Sequence, residues 1–312
     1  MTRYLVTGGA GFIGSHIVTA LLERGDTVRV LDDFSTGRRE NLDGLDVDLV
    51  EGSIADLDTC HRAMDGVTHV FHEAALPSVP GSIADPVRFN EVNVAGTLHL
   101  LVAARDAGVR RFVFASSSAV YGDAPEQPKR EDMPCAPMTP YAINKRAGEL
   151  YLQAFHGLYR LETVALRYFN VFGPRQDPAS PYAAVIPIFL RLMRDGKSPT
   201  IHGDGEQSRD FTYVGNVVRA NLLAADAPPG FGGKILNCAT GASVTVNSLV
   251  DALHRHSGLD IPPTHGPERP GDIRHSSADI TRIRHDLAYT PDIPLDQGLK
   301  TTIEWFMNAM AD

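Results

Sequence analysis

The stretch Tyr4-Leu-Val-Thr-Gly-Gly-Ala-Gly-Phe-Ile-Gly14 constrains the fold more than any other part of the chain. Tyr4, Leu5 and Val6 form a short apolar run that reads as a buried strand. Thr7 to Gly11 turn the chain, and Gly14 opens a helix through Ile17, Val18, Leu21 and Leu22. Gly8, Gly11 and Gly14 are spaced G-x-x-G-x-x-G, a variant of the dinucleotide fingerprint. Glycine is needed where backbone must approach a pyrophosphate and where helix and strand pack tightly. The helix N-terminus then turns free N–H groups and a positive dipole end toward the phosphates.

The context supports this reading. A strand precedes the turn, a helix follows, and a second strand at residues 28–31 ends in the acid Asp32. A carboxylate there accepts hydrogen bonds from the adenosine ribose hydroxyls and repels the 2′-phosphate of NADP, so NAD is the expected cofactor. Arg38 and Arg39 follow closely and read as solvated surface.

Beyond this point strands and helices alternate. Strands are expected at 47–51, 67–71, 111–115 and 163–167, with helices at 57–64, 86–107 and 141–159. Near-continuous apolar strands alternating with helices imply an α/β chain with a doubly wound parallel sheet. Ligands of such sheets sit at the C-terminal strand ends, where the glycine turn, Asp32, Ala74, Ser117 and Tyr168 fall. After Gly173 the rhythm changes. Helices are expected at 183–194, 216–225, 246–256 and 295–310, with strands at 209–214 and 234–238. Residues 1–172 with 209–240 read as the cofactor-binding domain. Residues 173–208 with 241–312 read as a smaller, interleaved α/β substrate-binding cap. A chain of 312 residues has room for both.

Composition narrows the partners. The net charge of −9 disfavours a nucleic-acid or anionic-membrane binder, while leaving room for one basic pocket. Cys60, Cys135 and Cys238 are far apart and form no C-x-x-C, so reduced thiols in the cytoplasm are expected, with neither disulfide nor metal site. A signal peptide before the first strand is not expected, and no apolar run reaches membrane-spanning length.

Tyr141-Ala-Ile-Asn-Lys145 places a phenol and an ammonium one helical turn apart on one face. The ammonium, and a pyridinium charge nearby, favour the phenolate, and a phenol tuned in this way acts as a general base on a hydroxyl. Ser116-Ser117-Ser118-Ala-Val-Tyr-Gly122 supplies hydroxyls at a strand end, able to donate to an oxygen being oxidised. No nucleophile elbow is present, so hydrolysis has little support.

In these motifs the chain resembles the extended short-chain dehydrogenase/reductases, and among them the nucleotide-sugar 4-epimerases. The resemblance rests on the glycine turn, His72-Glu-Ala-Ala75, the serine stretch, Tyr141-x-x-x-Lys145 and Leu166-Arg-Tyr-Phe-Asn-Val-Phe-Gly-Pro174. It extends through Gly203-Asp-Gly-Glu-Gln-Ser-Arg-Asp-Phe211 and Arg269-Pro-Gly-Asp-Ile-Arg-His-Ser276. It implies a Rossmann-type sheet and NAD-dependent C4 epimerisation of a UDP-hexose through a 4-keto sugar. Tyr141 would be the base, Lys145 would hold the nicotinamide ribose, and Ser117 would assist at the hydroxyl with Ser118 beside it. The cofactor would lie against Gly8, Gly11, Phe12, Ile13, Gly14 and Asp32. Ser53, Ile54, Ala74, Ala75, Asn93 and Tyr168 would complete its site with Tyr141 and Lys145. The substrate would meet Ser78, Ser117, Tyr141 and Asn170. Arg209 and Arg269 would clamp the diphosphate, Asp272 would hold the uridine ribose, and Val185 and His202 would cradle uracil. Relatives pair the helix at 86–107 and the one after Tyr141 across a two-fold axis, implying a homodimer.

The chain departs from the family pattern at informative places. Ser53 stands where many relatives have an adenine-binding Asp. Ser118 and Ala119 stand where dehydratases and decarboxylases carry an acid. Uronate epimerases usually have Thr in place of Asn170. Ser276 replaces a bulky Tyr of epimerases limited to glucose and galactose, leaving room for an N-acetyl group. UDP-GlcNAc/UDP-GalNAc, with or without UDP-Glc/UDP-Gal, are therefore the expected substrates. The alternatives are a UDP-glucuronate 4-epimerase or related nucleotide-sugar enzyme, and a catalytically silent NAD-binding sensor.

Overall fold

Tyr4 and Val6 point into one apolar cluster and Leu5 into another, so the first strand is buried on both faces. In the computed structural model, which describes residues 2–177, 184–268 and 274–308, that strand is β1 (Arg3–Thr7). It is followed by α1 (Phe12–Glu23), β2 (Thr27–Asp32), β3 (Asp48–Glu51), α2 (Leu57–Met64) and β4 (His69–His72). Next come α3 (Val79–Ala84), α4 (Pro86–Asn90), α5 (Gly96–Asp106), β5 (Arg111–Ser117), α6 (Pro140–Tyr159) and β6 (Glu162–Tyr168). The second half runs β7 (Val171–Phe172), α7 (Val185–Arg194), β8 (Thr200–His202), β9 (Ser208–Arg209), β10 (Thr212–Tyr213), α8 (Val214–Asp226) and β11 (Lys234–Cys238). It closes with β12 (Val244–Thr245), α9 (Val246–Ser257), β13 (Thr264–Gly266), β14 (His275–Ser276), α10 (Thr281–Leu287) and α11 (Leu295–Asn308).

Seven strands form one parallel sheet in the order β3-β2-β1-β4-β5-β6-β11. The order reverses between β1 and β4, and the crevice beyond that switch point is where such sheets bind ligands. Ile17, Val217 and Ile283 of α1, α8 and α10 cover one face, and Met64, Leu101 and Leu152 of α2, α5 and α6 cover the other. A third apolar cluster joins α7, α9 and α11 outside the sheet. The chain leaves the large sheet after β6 and returns through α8 and β11. It leaves again for α9 and returns with Ile280, Ile283, Leu287 and Tyr289, which pack in the sheet's own core. No helix among the described residues is long and apolar enough to cross a membrane.

Two elements differ from the sequence expectation. The helix at 86–107 is interrupted by a wide π-type turn, Glu91–Ala95. The extra residue turns Asn93 inward, where Nδ2 donates to Leu76 O (3.1 Å) and Oδ1 accepts from Leu76 N (2.8 Å). The expected strand at 209–214 is two short pieces: β9 pairs with β12 and β14, whereas β10 pairs with β7.

His72 closes β4 in a fully buried chain of hydrogen bonds. Thr97 gives its hydroxyl proton to Asn93 O (2.7 Å), so it accepts from His72 Nε2 (2.9 Å), and His72 Nδ1 accepts from Thr7 (2.9 Å). Burial, and then the Lys145 charge, push the His72 pKa down to about 3. Burial likewise pushes His16 to about 4. The unfolded chain protonates both near the ordinary 6.5, while the folded chain resists. Their stabilisation is therefore complete above about pH 6.5 and is lost as pH falls toward the folded values. Urea unfolding should show about 2 kcal/mol lost between pH 7 and pH 5 from His72 alone. His72→Gln should flatten that slope; an unchanged slope would assign the pH dependence to other groups.

Candidate active site

Gly14 stands where a Cβ would lie 2.1 Å from Gly8 O, and a Cβ on Gly8, whose φ is +67°, would lie 2.7 Å from Ala74 N. Only glycine lets β1, α1 and the end of β4 approach this closely. Gly11 caps α1 without a side chain, and Phe12 and Ile13 form its first turn. The first-turn amides are thus open to an anion. At the end of β2, Asp32 accepts from Ala10 N and Phe34 N, each at 2.9 Å, which leaves further acceptor capacity on both oxygens. Arg38 is paired with Asp177 at 2.8 Å, and Arg39 with Glu51 and the face of Phe34. Both arginines are engaged by protein groups, which suits a ribose without a 2′-phosphate. The turn, the open helix end and Asp32 fit NAD.

Farther along the strand ends, Ser53 accepts from Ala55 N at 3.3 Å, Ile54 is buried against Gly96, and Ala74 and Ala75 are half-buried beside the glycine turn. Asn93 commits its side-chain amide to Leu76, as described above. Tyr168 ends β6 opposite Ser117 of β5. Its hydroxyl donates to Glu73 Oε1 (2.8 Å) and accepts from Asn221 Nδ2 (2.7 Å).

Helix α6 carries the reacting groups. Thr139 caps it and Pro140 opens it, two local signals that fix its start. Tyr141 N donates to Ser82 Oγ of α3 at 3.1 Å, and the Ser117 hydroxyl favours the Tyr141 phenolate. Lys145 Nζ lies 5.9 Å from the Tyr141 ring centroid and donates to Ala115 O at 2.7 Å. Ser118 starts a single turn capped by Ser117, which accepts from Ala119 N at 3.2 Å. Burial pushes the Tyr141 pKa up; the Ser117 hydroxyl lowers it and the Glu73 charge raises it. Burial pushes Lys145 down against the opposing Glu73 charge. The lowered phenol pKa expected from the sequence is not found, because burial and the Glu73 charge both raise it and together outweigh the Ser117 hydroxyl. An added cation beside the phenol acts in the opposite sense.

Asn170, Val185, His202 and Arg209 line one cavity of about 400 Å³, with the aromatic walls Phe172, Phe189 and Phe211. Asn170, at a φ of +33°, donates to Asp210 O at 3.0 Å. Ser276 of β14 pairs directly with Arg209 of β9, and Asp210 N donates to Ser276 O at 2.9 Å. Ser78 caps α3, accepting from Gly81 N at 2.8 Å. Arg269 and Asp272 lie outside the described residues.

The structure adds residues that the sequence reading missed. Glu149 continues the Tyr141–Lys145 face by one more turn. It binds Arg167 of β6 through both oxygens at 2.8 Å and accepts from Ser116 at 2.6 Å. Its spacing was the available signal. Asp210, fully buried beside Arg209, accepts from Thr240 N, Thr240 Oγ1 and Gly241 N. Ser82 and Glu73 carried no periodic signal.

The family model described as NAD dependent epimerase/dehydratase matches residues 4–239. A UDP-glucose 4-epimerase of Mycolicibacterium smegmatis is 42% identical, over 98% of this chain and 99% of the relative. The solved UDP-N-acetylglucosamine 4-epimerase of Methanobrevibacter ruminantium, in complex with UDP-N-acetylmuramic acid, superposes with TM-score 0.95 at 43% identity and covers 99% of each chain. The UDP-glucose 4-epimerase of Thermotoga maritima with UDP-glucose gives TM-score 0.93 at 40% identity, covering 99% of this chain and 100% of that one.

Glu149→Gln leaves the buried Arg167 without its counter-charge. A loss of about 3–5 kcal/mol is expected by urea unfolding, and a loss below about 1 kcal/mol would show the pair to be idle.

Proposed function

The chain belongs to the NAD dependent epimerase/dehydratase family, and we propose that it is an isomerase that interconverts UDP-hexoses at C4 with bound NAD. One observation carries the chemistry: Tyr141 lies one turn from Lys145, whose Nζ is 5.9 Å from the Tyr141 ring centroid and is tied to Ala115 O of β5, the strand that ends in Ser117. Residues 173–208 and 241–312 are read as the nucleotide-sugar cap, and 1–172 with 209–240 as the cofactor domain, although Ile280, Ile283, Leu287 and Tyr289 return to the core of the large sheet.

When bound, NAD would supply a reversible acceptor for the C4 hydrogen and its electron pair. Tyr141 takes the proton of the 4-hydroxyl and gives it back. Ser117 holds the same oxygen, and Lys145 orients the cofactor ribose while stabilising the phenolate. Arg209 and Arg269 meet the diphosphate, and Asn170 the sugar–phosphate linkage. Val185 and His202 hold the uracil, and Asp272 the uridine ribose. No acid follows Ser117, so the proton transfers of an elimination have no carrier at that position.

The small Ser276 beside Arg209 favours N-acetylated hexoses alongside the plain pair. Exposed Val87 of α4 (78%) with Ile143 (52%) and Leu150 (51%) of α6 support a homodimer through these helices. The unpaired Cys60, Cys135 and Cys238 suit the cytoplasm.

Proton NMR of the anomeric region, with UDP-GlcNAc and UDP-Glc in separate tubes and no added cofactor, should show the galacto epimer in both. Tyr141→Phe should lose at least a hundredfold in turnover while keeping its NAD. No epimer in either tube, even with added NAD, would overturn the reading. Ser276→Tyr should suppress the acetylated pair and spare the plain pair; equal loss of both would remove Ser276 as a specificity residue.

A further inference from the structure

Glu73 follows β4 and is used by no step above. Its backbone N donates to Thr7 O at 3.2 Å, and the missing Cβ of Gly8 would lie 3.0 Å from its carbonyl carbon. It therefore borders the glycine turn, which on the NAD reading would carry the dinucleotide from Asp32 toward Lys145. Its side chain is half-buried, with Oε1 accepting from Tyr168 at 2.8 Å and Oε2 accepting nothing from the described residues. Its charge acts on Tyr141 and Lys145 of α6, Tyr168 of β6 and the Cys238 thiol of β11. Burial pushes its own pKa up, and the Tyr168 bond and Lys145 oppose that. A carboxyl so placed becomes a carboxylate when another cation arrives beside it.

Resting on the NAD reading above, we propose that Glu73 is the counter-charge of the cofactor's nicotinamide end, favouring the cationic oxidised ring over the neutral reduced one. In the forward half-reaction the sugar C4–H bond breaks, and the hydrogen leaves with both electrons for the nicotinamide. The hydroxyl proton passes to Tyr141. The sugar is oxidised by two electrons and the nicotinamide is reduced by the same two. Reduction removes the ring's positive charge and with it the attraction to Glu73. The return transfer to the 4-keto sugar restores that attraction. Glu73 thus opposes stranding of the cofactor in its reduced form, which would end turnover.

The test equilibrates the protein with an equimolar mixture of oxidised and reduced dinucleotide and reads the ratio retained after gel filtration. The native protein should retain an excess of the oxidised form. Glu73→Gln should move the ratio toward the reduced form on the order of tenfold, whereas Glu73→Asp, which keeps the charge, should stay near native. Equal ratios for native and Glu73→Gln, or an equal shift in Glu73→Asp, would overturn the proposal. Retention of neither form by the native protein would sink the cofactor reading and this proposal together. Should Glu73→Gln fail to fold, the native protein carries the test. Its oxidised preference must fall as acid neutralises Glu73, in a range where Lys145 stays charged and the Tyr141, Tyr168 and Cys238 groups stay neutral. A preference independent of pH there would overturn the role.

Discussion

A guanidinium and a carboxylate, both shut away from water, hold the reacting groups in place. Arg167 is 1% exposed and Glu149 not at all. Taking two such charges out of water is costly, and apolar residues of similar volume often serve stability as well. What the pair provides is geometry. Two parallel bonds in a fixed plane set the rotation and depth of α6 against β6, and Ser116 extends the link to β5. Tyr141 and Lys145 lie two turns and one turn before Glu149 on the same helix, so they inherit that placement. The Tyr121 ring stacks on the guanidinium, its centroid 4.6 Å from the guanidinium carbon.

A second group of contacts joins the substrate side to this core. Asn237 of β11 donates to Lys129 O and Asp279 O and accepts from Tyr121 Oη at 2.7 Å. Lys129 N donates to Ser277 O, and Asp279 N donates to Lys129 O. The loop that follows the serine strand is thereby zipped to the segment that follows Ser276. Asp210 does the same for Arg209 and Asn170, since its carboxylate collects the amides of Thr240 and Gly241. Few of these bonds touch the cavity, yet they fix where its polar groups point.

Much of this was legible from local physics. The inner parallel strands announced themselves as apolar runs because both their faces are covered. The glycine turn was legible because its spacing answers a steric demand that Gly8 and Gly14 meet in the structure. Tyr141 and Lys145 were legible as a helical face. The wide turn at Glu91–Ala95 was not, because its cause is the distant backbone of Leu76. The helices α3 and α10 are too short to show a period. The stretch at 209–214 looks like one strand because its apolar content does not reveal that its two ends pair with different partners. Glu149 and Asp210 read as ordinary acids until the fold buries them, and burial of a charge is a tertiary fact.

The chain's repeated passage between the large sheet and the outer cluster has an evolutionary corollary. The pocket walls are contributed by separate returns of one thread, so no contiguous piece carries the specificity. Such a pocket is not exchanged between proteins as a cassette, nor lost by a single deletion that spares the sheet. New substrates have to be acquired residue by residue, within a frame that already holds the cofactor. Homologues of this architecture should therefore diverge in what they recognise while keeping chain length and order of elements nearly constant.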